Sequence, residues 1–140
     1  MKRLIFASGK IAVDLLTSPD RGKATDVAVC RVEQIYPLPV RDMLGVIEGY
    51  PALEEIFWVQ EEPENMGAWE FVRPALEGLA GSRKLAVLAR PRSSSPAEGS
   101  ASRHARTQAQ MIAQALDRKR EAGSLDPAIG GIRFPPPRKS

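Results

Sequence analysis

Residues 58–69 read WVQEEPENMGAW, and they mark the point where one kind of local structure gives way to another. The run that leads into them, Ile56 to Val59, is apolar at successive positions, as in a strand buried on both faces. Glu61, Glu62 and Pro63 end that run. Asn65 is then placed to cap a helix that turns Trp69, Val72, Leu76 and Leu79 inward. Pro74 falls inside this helix, where a proline costs ~3 kcal/mol, so a kink or two short helices are expected. Strand, polar turn and helix make one βα unit, and its recurrence decides the fold class.

The unit recurs in both directions. Leu4-Ile5-Phe6-Ala7 breaks at Ser8-Gly9-Lys10 into a helix carrying Ile11, Ala12, Leu15 and Leu16, which ends near Thr17-Ser18-Pro19-Asp20. Val27-Ala28-Val29-Cys30 is apolar on both faces and is expected to be a central strand; Tyr36-Pro37-Leu38-Pro39 closes the segment after it. Val40, Met43, Leu44 and Ile47 then form a helix face, opened by Pro39 and closed by Gly49 and Pro51. Leu85 to Leu88 is a fourth strand, 91–100 (PRSSSPAEGS) a polar loop, and Ala105, Ala109, Ile112 and Leu116 mark a last helix. Such alternation predicts an α/β fold: three layers around a mostly parallel, doubly wound sheet of about four to five strands. Residues 1–116 form this domain. Residues 117–140, with three consecutive prolines, are expected to be a largely irregular tail.

Composition narrows the function classes. A chain of 140 residues with 43% hydrophobic and 26% charged residues is that of an ordinary globular domain. Cys30 is the only cysteine, so no disulfide closes within the chain and no thiolate zinc cage forms; a reducing, cytoplasmic compartment fits. No apolar run approaches the ~18 residues of a membrane helix. The net charge of +3 permits nucleic-acid binding without requiring it, and no aromatic residues are interleaved with the basic stretch from 83 to 106, which counts against RNA.

In a parallel sheet the segments after each strand gather at one edge, where such folds place ligands. Here they are SGK (8–10), RVEQIYP (31–37), QEEPEN (60–65) and ARPRSSS (89–95). Glu61 and Glu62 are sequential, so on a strand they point to opposite faces and cannot share a proton or a metal; a structural role is expected. Ser8-Gly9-Lys10 lacks both phosphate-loop spacings and reads as a helix-starting turn. Arg83, Lys84, Arg90, Arg92, Arg103 and Arg106 stand against one acid, Glu98. They are either a solvated face or a site for phosphates, with Ser93 and Ser95 as added donors. His104, the only histidine, announces no triad and no multi-histidine metal site. Cys30 is expected to be inert, and Trp58 and Trp69 to lie in the core or an interface.

Taken in order, SGK, RVEQIYPLP, WVQEEPENMGAW, RPRSSSPAEG and His104 resemble the C-terminal, transketolase-like domain of the first component of 2-oxoglutarate dehydrogenase, from about residue 2 to Leu116. The resemblance implies a thiamine-diphosphate enzyme that decarboxylates 2-oxoglutarate and succinylates the lipoyl arm of a partner, the dihydrolipoyl succinyltransferase. It also implies a homodimer, in the cytoplasm or, in a eukaryote, the mitochondrial matrix. In that family thiamine diphosphate and magnesium are held by earlier domains, whose Gly-Asp-Gly and Asn elements have no match here. No cofactor, catalytic or metal residue is therefore assigned to this chain, which looks like a fragment, a separate subunit or an isolated domain.

By the same resemblance, Ser8, Gly9, Lys10, Glu33, Gln34, Glu61, Glu62, Asn65, Gly67 and Trp69 form a structural signature at the sheet edge, with Gly67 allowing close approach. Arg90, Arg92, Ser93 and Ser95 are candidates for binding a phosphate-bearing effector such as acetyl-coenzyme A or a nucleotide. Two departures bear on that site: Ala89 stands where the family usually has Gly, and Arg92 where it has a small residue. The domain is read as a non-catalytic assembly and regulatory part of the enzyme. The alternatives are the matching domain of another transketolase-like enzyme, or a free-standing basic nucleotide-binding module.

Overall fold

The computed structural model describes residues 1–90, 101–118 and 132–133. Four strands run parallel: β1 (Arg3–Ala7), β2 (Val27–Arg31), β3 (Glu55–Pro63) and β4 (Lys84–Arg90). They are joined by α1 (Lys10–Thr17), α2 (Val40–Glu48) and α3 (Trp69–Ala80), and α4 (Ala101–Leu116) follows β4. A short strand, β5 (Ile132–Arg133), pairs antiparallel with β4, completing the order β2-β1-β3-β4-β5. The expected doubly wound, mostly parallel α/β architecture is present.

Strand alternation divides the core cleanly. Leu4, Phe6, Ile56, Trp58, Leu85 and Val87 face α2 and α3, meeting Met43, Ile47, Val72 and Leu76. Ile5, Ala7, Phe57, Val59, Ala86 and Leu88 face α1 and α4, meeting Ile11, Leu15, Met111 and Ala115. Both faces are covered, which is why the strands read as unbroken apolar runs rather than alternating ones. Trp58 and Trp69 are both fully packed in the α2/α3 layer.

Five expectations are corrected. Val27–Cys30 is not a central strand: β2 lies at the edge of the sheet, with Val27 and Ala28 buried but Val29 and Cys30 only half-buried. Apolar residues on both faces report what covers the faces, not whether a strand lies on each side. Asn65 does not cap α3, which begins at Trp69 after Ala68. The inward face of α4 is not Ala105 and Ala109, which are exposed; Thr107, Gln108, Met111, Gln114 and Ala115 are buried instead. The helix α3 passes through Pro74 as a single element, so the two-helix alternative does not hold. Val40 and Leu44 on α2, and Leu16 on α1, stand exposed although they follow helical spacing.

The start of α3 is secured from the strand before it. The carboxamide of Gln60, buried near the end of β3, accepts from the Trp58 indole Nε1 (2.9 Å) and from the Trp69 backbone N–H (3.0 Å). Its nitrogen donates to the carbonyls of Pro63 (2.9 Å) and Met66 (2.8 Å). A first-turn N–H of the helix, which has no partner within the helix itself, is thus satisfied by a side chain nine residues upstream. Gly67 permits the tight turn between them, with φ +68; a Cβ there would sit 2.9 Å from Glu62 Oε2.

At the opposite edge, where the strands begin, charge is matched pair by pair. Buried Arg3 bonds Glu55 (2.9 Å), donates to the Ala115 carbonyl at the end of α4 (2.8 Å) and lies 4.0 Å over the Phe57 ring. Arg118 reaches Asp26 (2.8 Å), Glu55 (3.1 Å) and Glu54 (3.6 Å). Arg118 and β5 both lie past Leu116, where the domain is expected to end. Cations at a helix C-terminus are favourable for the carbonyls left unpaired there.

Gln60→Leu, which keeps the volume but orphans two buried donors and two carbonyls, is expected to lower unfolding free energy by about 2–4 kcal/mol in urea titration. Gly67→Ala is expected to cost about 1–2 kcal/mol by the same measurement, from the left-handed backbone and the Glu62 contact.

Candidate functional site

The strand order reverses between β1 and β3: the chain leaves β1 for β2 on one side and later returns to place β3 on the other. The crevice beyond the carboxyl ends of two such strands is where doubly wound sheets bind ligands. Here it is flanked by Ser8-Gly9-Lys10 after β1 and by Gln60-Glu61-Glu62 at the end of β3. Gly9 has φ +70 and ends the turn directly before α1, with no side-chain cap on that helix.

A string of polar side chains crosses this end of the molecule on the α1/α4 side. Lys10 bonds Asp14 one turn along α1 (2.9 Å). The Gln108 amide of α4 donates to Asp14 (3.2 Å) and to Glu61 (2.6 Å), and its oxygen accepts from Arg90 (3.4 Å). Arg90 also donates to the Glu61 carbonyl (2.6 Å). Two cations and two carboxylates balance, and one amide ties together α1, β3, β4 and α4. Glu61 and Glu62 part as alternation requires: Glu61 turns to α4, Glu62 to the Gly67 turn before α3.

The other signature residues lie around this edge. Glu33 is exposed and pairs loosely with Arg31 (3.8 Å), while Gln34 donates to the Pro37 carbonyl (3.1 Å) beside a cis Tyr36–Pro37 bond. Ser8 is half-buried and Lys10 exposed. Arg90 is buried at the end of β4, whereas Arg92, Ser93 and Ser95 lie outside the described residues. His104 falls in the first turn of α4. Burial pushes the Cys30 thiol up, away from the reactive thiolate. Gln60, Gln108 and Arg118 went unread in the sequence; a polar residue directly before a paired acidic turn, or at an inward helical position, was their only local signal.

Chemically, the cluster is a brace. Its amide separates the two carboxylates, and among the described residues no group of three or more His, Cys, Asp or Glu is placed to hold a metal ion. The described residues do not fit magnesium diphosphate, which needs hard oxygen ligands and a backbone cradle. No described helix is long and apolar enough to cross a membrane.

The Lys10 ammonium, with help from the Gln108 amide, holds the Asp14 carboxyl below its ordinary value of 3.8 against the opposing effect of burial. A depressed folded pKa means stability that is present above the unfolded value and is lost as pH falls through the folded one. The stability difference between parent and Lys10→Met is therefore expected to be constant above about pH 5 and to vanish under strong acid. Carboxyl-carbon NMR titration should show Asp14 moving up toward 3.8 in that variant.

The profile described as 2-oxoglutarate dehydrogenase C-terminal matches residues 1–116. The 2-oxoglutarate dehydrogenase E1 component of an Exiguobacterium species is 44% identical over 121 residues, covering 84% of this chain and 13% of that protein. Those of Bacillus cereus and Bacillus mycoides are each 43% identical over 124 residues, covering 85% of this chain and 13% of theirs. The chain thus spans about an eighth of the length of the curated relatives it matches. On the profile, the identities and the fold together, it belongs to the 2-oxoglutarate dehydrogenase C-terminal family.

Proposed function

We propose that this chain serves as the assembly and regulatory domain of a 2-oxoglutarate dehydrogenase first component and is inactive alone. In this reading other domains of that enzyme hold thiamine diphosphate and magnesium, decarboxylate 2-oxoglutarate and pass the succinyl group to a dihydrolipoyl succinyltransferase in the cytoplasm. One observation carries the assembly role. Tyr36 and Phe71 pack with their rings tilted by 42° and centroids 4.2 Å apart, yet are 71% and 45% exposed. Val40 and Leu44, also exposed, follow Tyr36 along the start of α2. Aromatic surface of this kind is characteristic of interface anchors. It sits at the carboxyl-end edge, where Lys10, Asp14, Glu61 and Arg90 are engaged within the domain.

A phosphate-bearing effector, acetyl-coenzyme A or a nucleotide, belongs to the same reading, with Arg90, Arg92, Ser93 and Ser95 as its candidate contacts. Arg92→Ala is then expected to weaken effector binding in calorimetry while leaving the fold unchanged.

The purified 140-residue chain is expected to show no heat of thiamine diphosphate binding and no consumption of 2-oxoglutarate; saturable turnover by it would refute the proposal. Co-expressed with the catalytic part of the enzyme, Tyr36→Ser with Phe71→Ser is expected to reduce co-purification by roughly tenfold or more at unchanged thermal stability. Equal recovery would remove the assembly role from this surface.

A further inference from the structure

Beside the edge where the strands begin, away from the β1/β3 crevice, lies a cavity of about 430 Å³. Small-molecule sites typically measure roughly 300–1,000 Å³. A short 3-10 helix, Pro19–Lys23, follows α1 and contributes Asp20 and Lys23 to the lining. Asp26, directly before β2, and Arg118, just past α4, contribute a second pair of charges, while Ala24, Ala113 and Leu116 supply apolar surface. Backbone bonds fix the short helix in place. The Ser18 hydroxyl accepts from the Asp20 N–H (3.2 Å) and the Ser18 carbonyl from the Arg21 N–H (3.0 Å). At the far end the Ala24 N–H donates to the Arg21 carbonyl (3.2 Å), and the Ala24 carbonyl accepts from Val27, the first residue of β2 (3.3 Å).

The charges around the cavity are of two kinds. Arg118 and Asp26 are committed to each other at 2.8 Å, Arg118 also reaches Glu54 and Glu55, and Asp117, which lines the cavity too, is not free either. Asp20 and Lys23 differ. Among the described residues neither side chain makes an ion pair or a hydrogen bond. They stand three residues apart on a helix of about three residues per turn, so they share one side of it, yet they do not close on each other. An open carboxylate beside an open ammonium is the complement of a ligand that carries an ammonium and a carboxylate on one carbon. A ligand with only one of these charges would leave the other group without a counterpart. The buried methyl groups of Ala24 and Leu116 give such a ligand an apolar surface on which to lay a hydrocarbon side chain.

We propose that this cavity binds a free α-amino acid with an apolar side chain, its ammonium on Asp20, its carboxylate on Lys23 and its hydrocarbon against Ala24, Ala113 and Leu116. The site does not depend on the enzyme to which the domain belongs, and it lies apart from the Tyr36–Phe71 surface.

The test titrates the isotope-labelled 140-residue chain with L-leucine, followed by amide chemical shifts, and with two relatives that each keep one charge, isocaproate and isopentylamine. Saturable shifts are expected with L-leucine at Lys23, Ala24, Ala113 and Leu116, with the carboxyl end of β4 unmoved. Each relative should bind about tenfold more weakly or worse. Asp20→Asn and Lys23→Met, both at exposed positions, should each weaken L-leucine by a similar factor at unchanged thermal stability. Shifts that do not saturate or that fall elsewhere in the domain, equal affinity for the three compounds, or binding indifferent to both substitutions would overturn the proposal.

Discussion

The carboxamide of Gln60 is the contact on which the arrangement of β3 and α3 depends. It ties the indole of one core tryptophan to the backbone of the other, and its nitrogen gathers the carbonyls of the turn between them. Each of these groups is buried or close to it, and a buried donor or acceptor without a partner costs more than a formed hydrogen bond gains. One side chain thus satisfies a strand end, a turn and a helix start together. The layer of apolar side chains from Leu4 to Val87 can pack against α3 because that helix begins in one place.

Charge is organised to the same end at both edges of the sheet. Where the strands begin, Lys2, Arg3 and Arg118 neutralise Asp26, Glu54 and Glu55 while Arg3 also caps α4. Burial pulls the Arg3 guanidinium down from its ordinary value and Glu55 opposes this, whereas hydrogen bonding to Asp26 raises Arg118. Where the strands end, Gln108 stands between carboxylates of two different elements. The carboxyl edge braced in this way commits the lone pairs of Asp14 and Glu61 to contacts within the domain.

Much of this is legible in the sequence because parallel strands covered on both faces leave unbroken apolar runs; three lie within two residues of their observed bounds, while β3 runs on through Glu61 and Glu62 to Pro63, where the sequence signals a turn. Within WVQEEPENMGAW, Glu61 and Glu62 diverge as strand alternation predicts, Gly67 makes the tight turn and Trp69 is core, whereas Asn65 does not cap α3. What escaped was information that apolar periodicity does not carry. The lateral place of β2 depends on chain crossings rather than on its own side chains. The capping group of α3 comes from β3, so the local cap signal at Asn65 falls three residues before the observed cap position, Ala68. The inward face of α4 was misread because Thr107, Gln108 and Gln114 occupy it, and polar residues at helical spacing ordinarily face water. Of the candidate site, Glu61 and Lys10 were in view; Gln108, which joins them through Asp14, was hidden for the same reason.

That polar inner face has a mechanical consequence. A helix seated on a greasy stripe can roll or slide by a fraction of a turn with little penalty, because apolar contact has no preferred direction. Hydrogen bonds have one. With the Gln108 amide keyed to carboxylates on α1 and β3, and its last carbonyls gripped by Arg3, α4 behaves as an indexed peg rather than a bearing. A push on one end of it is delivered to the sheet instead of being absorbed by slippage.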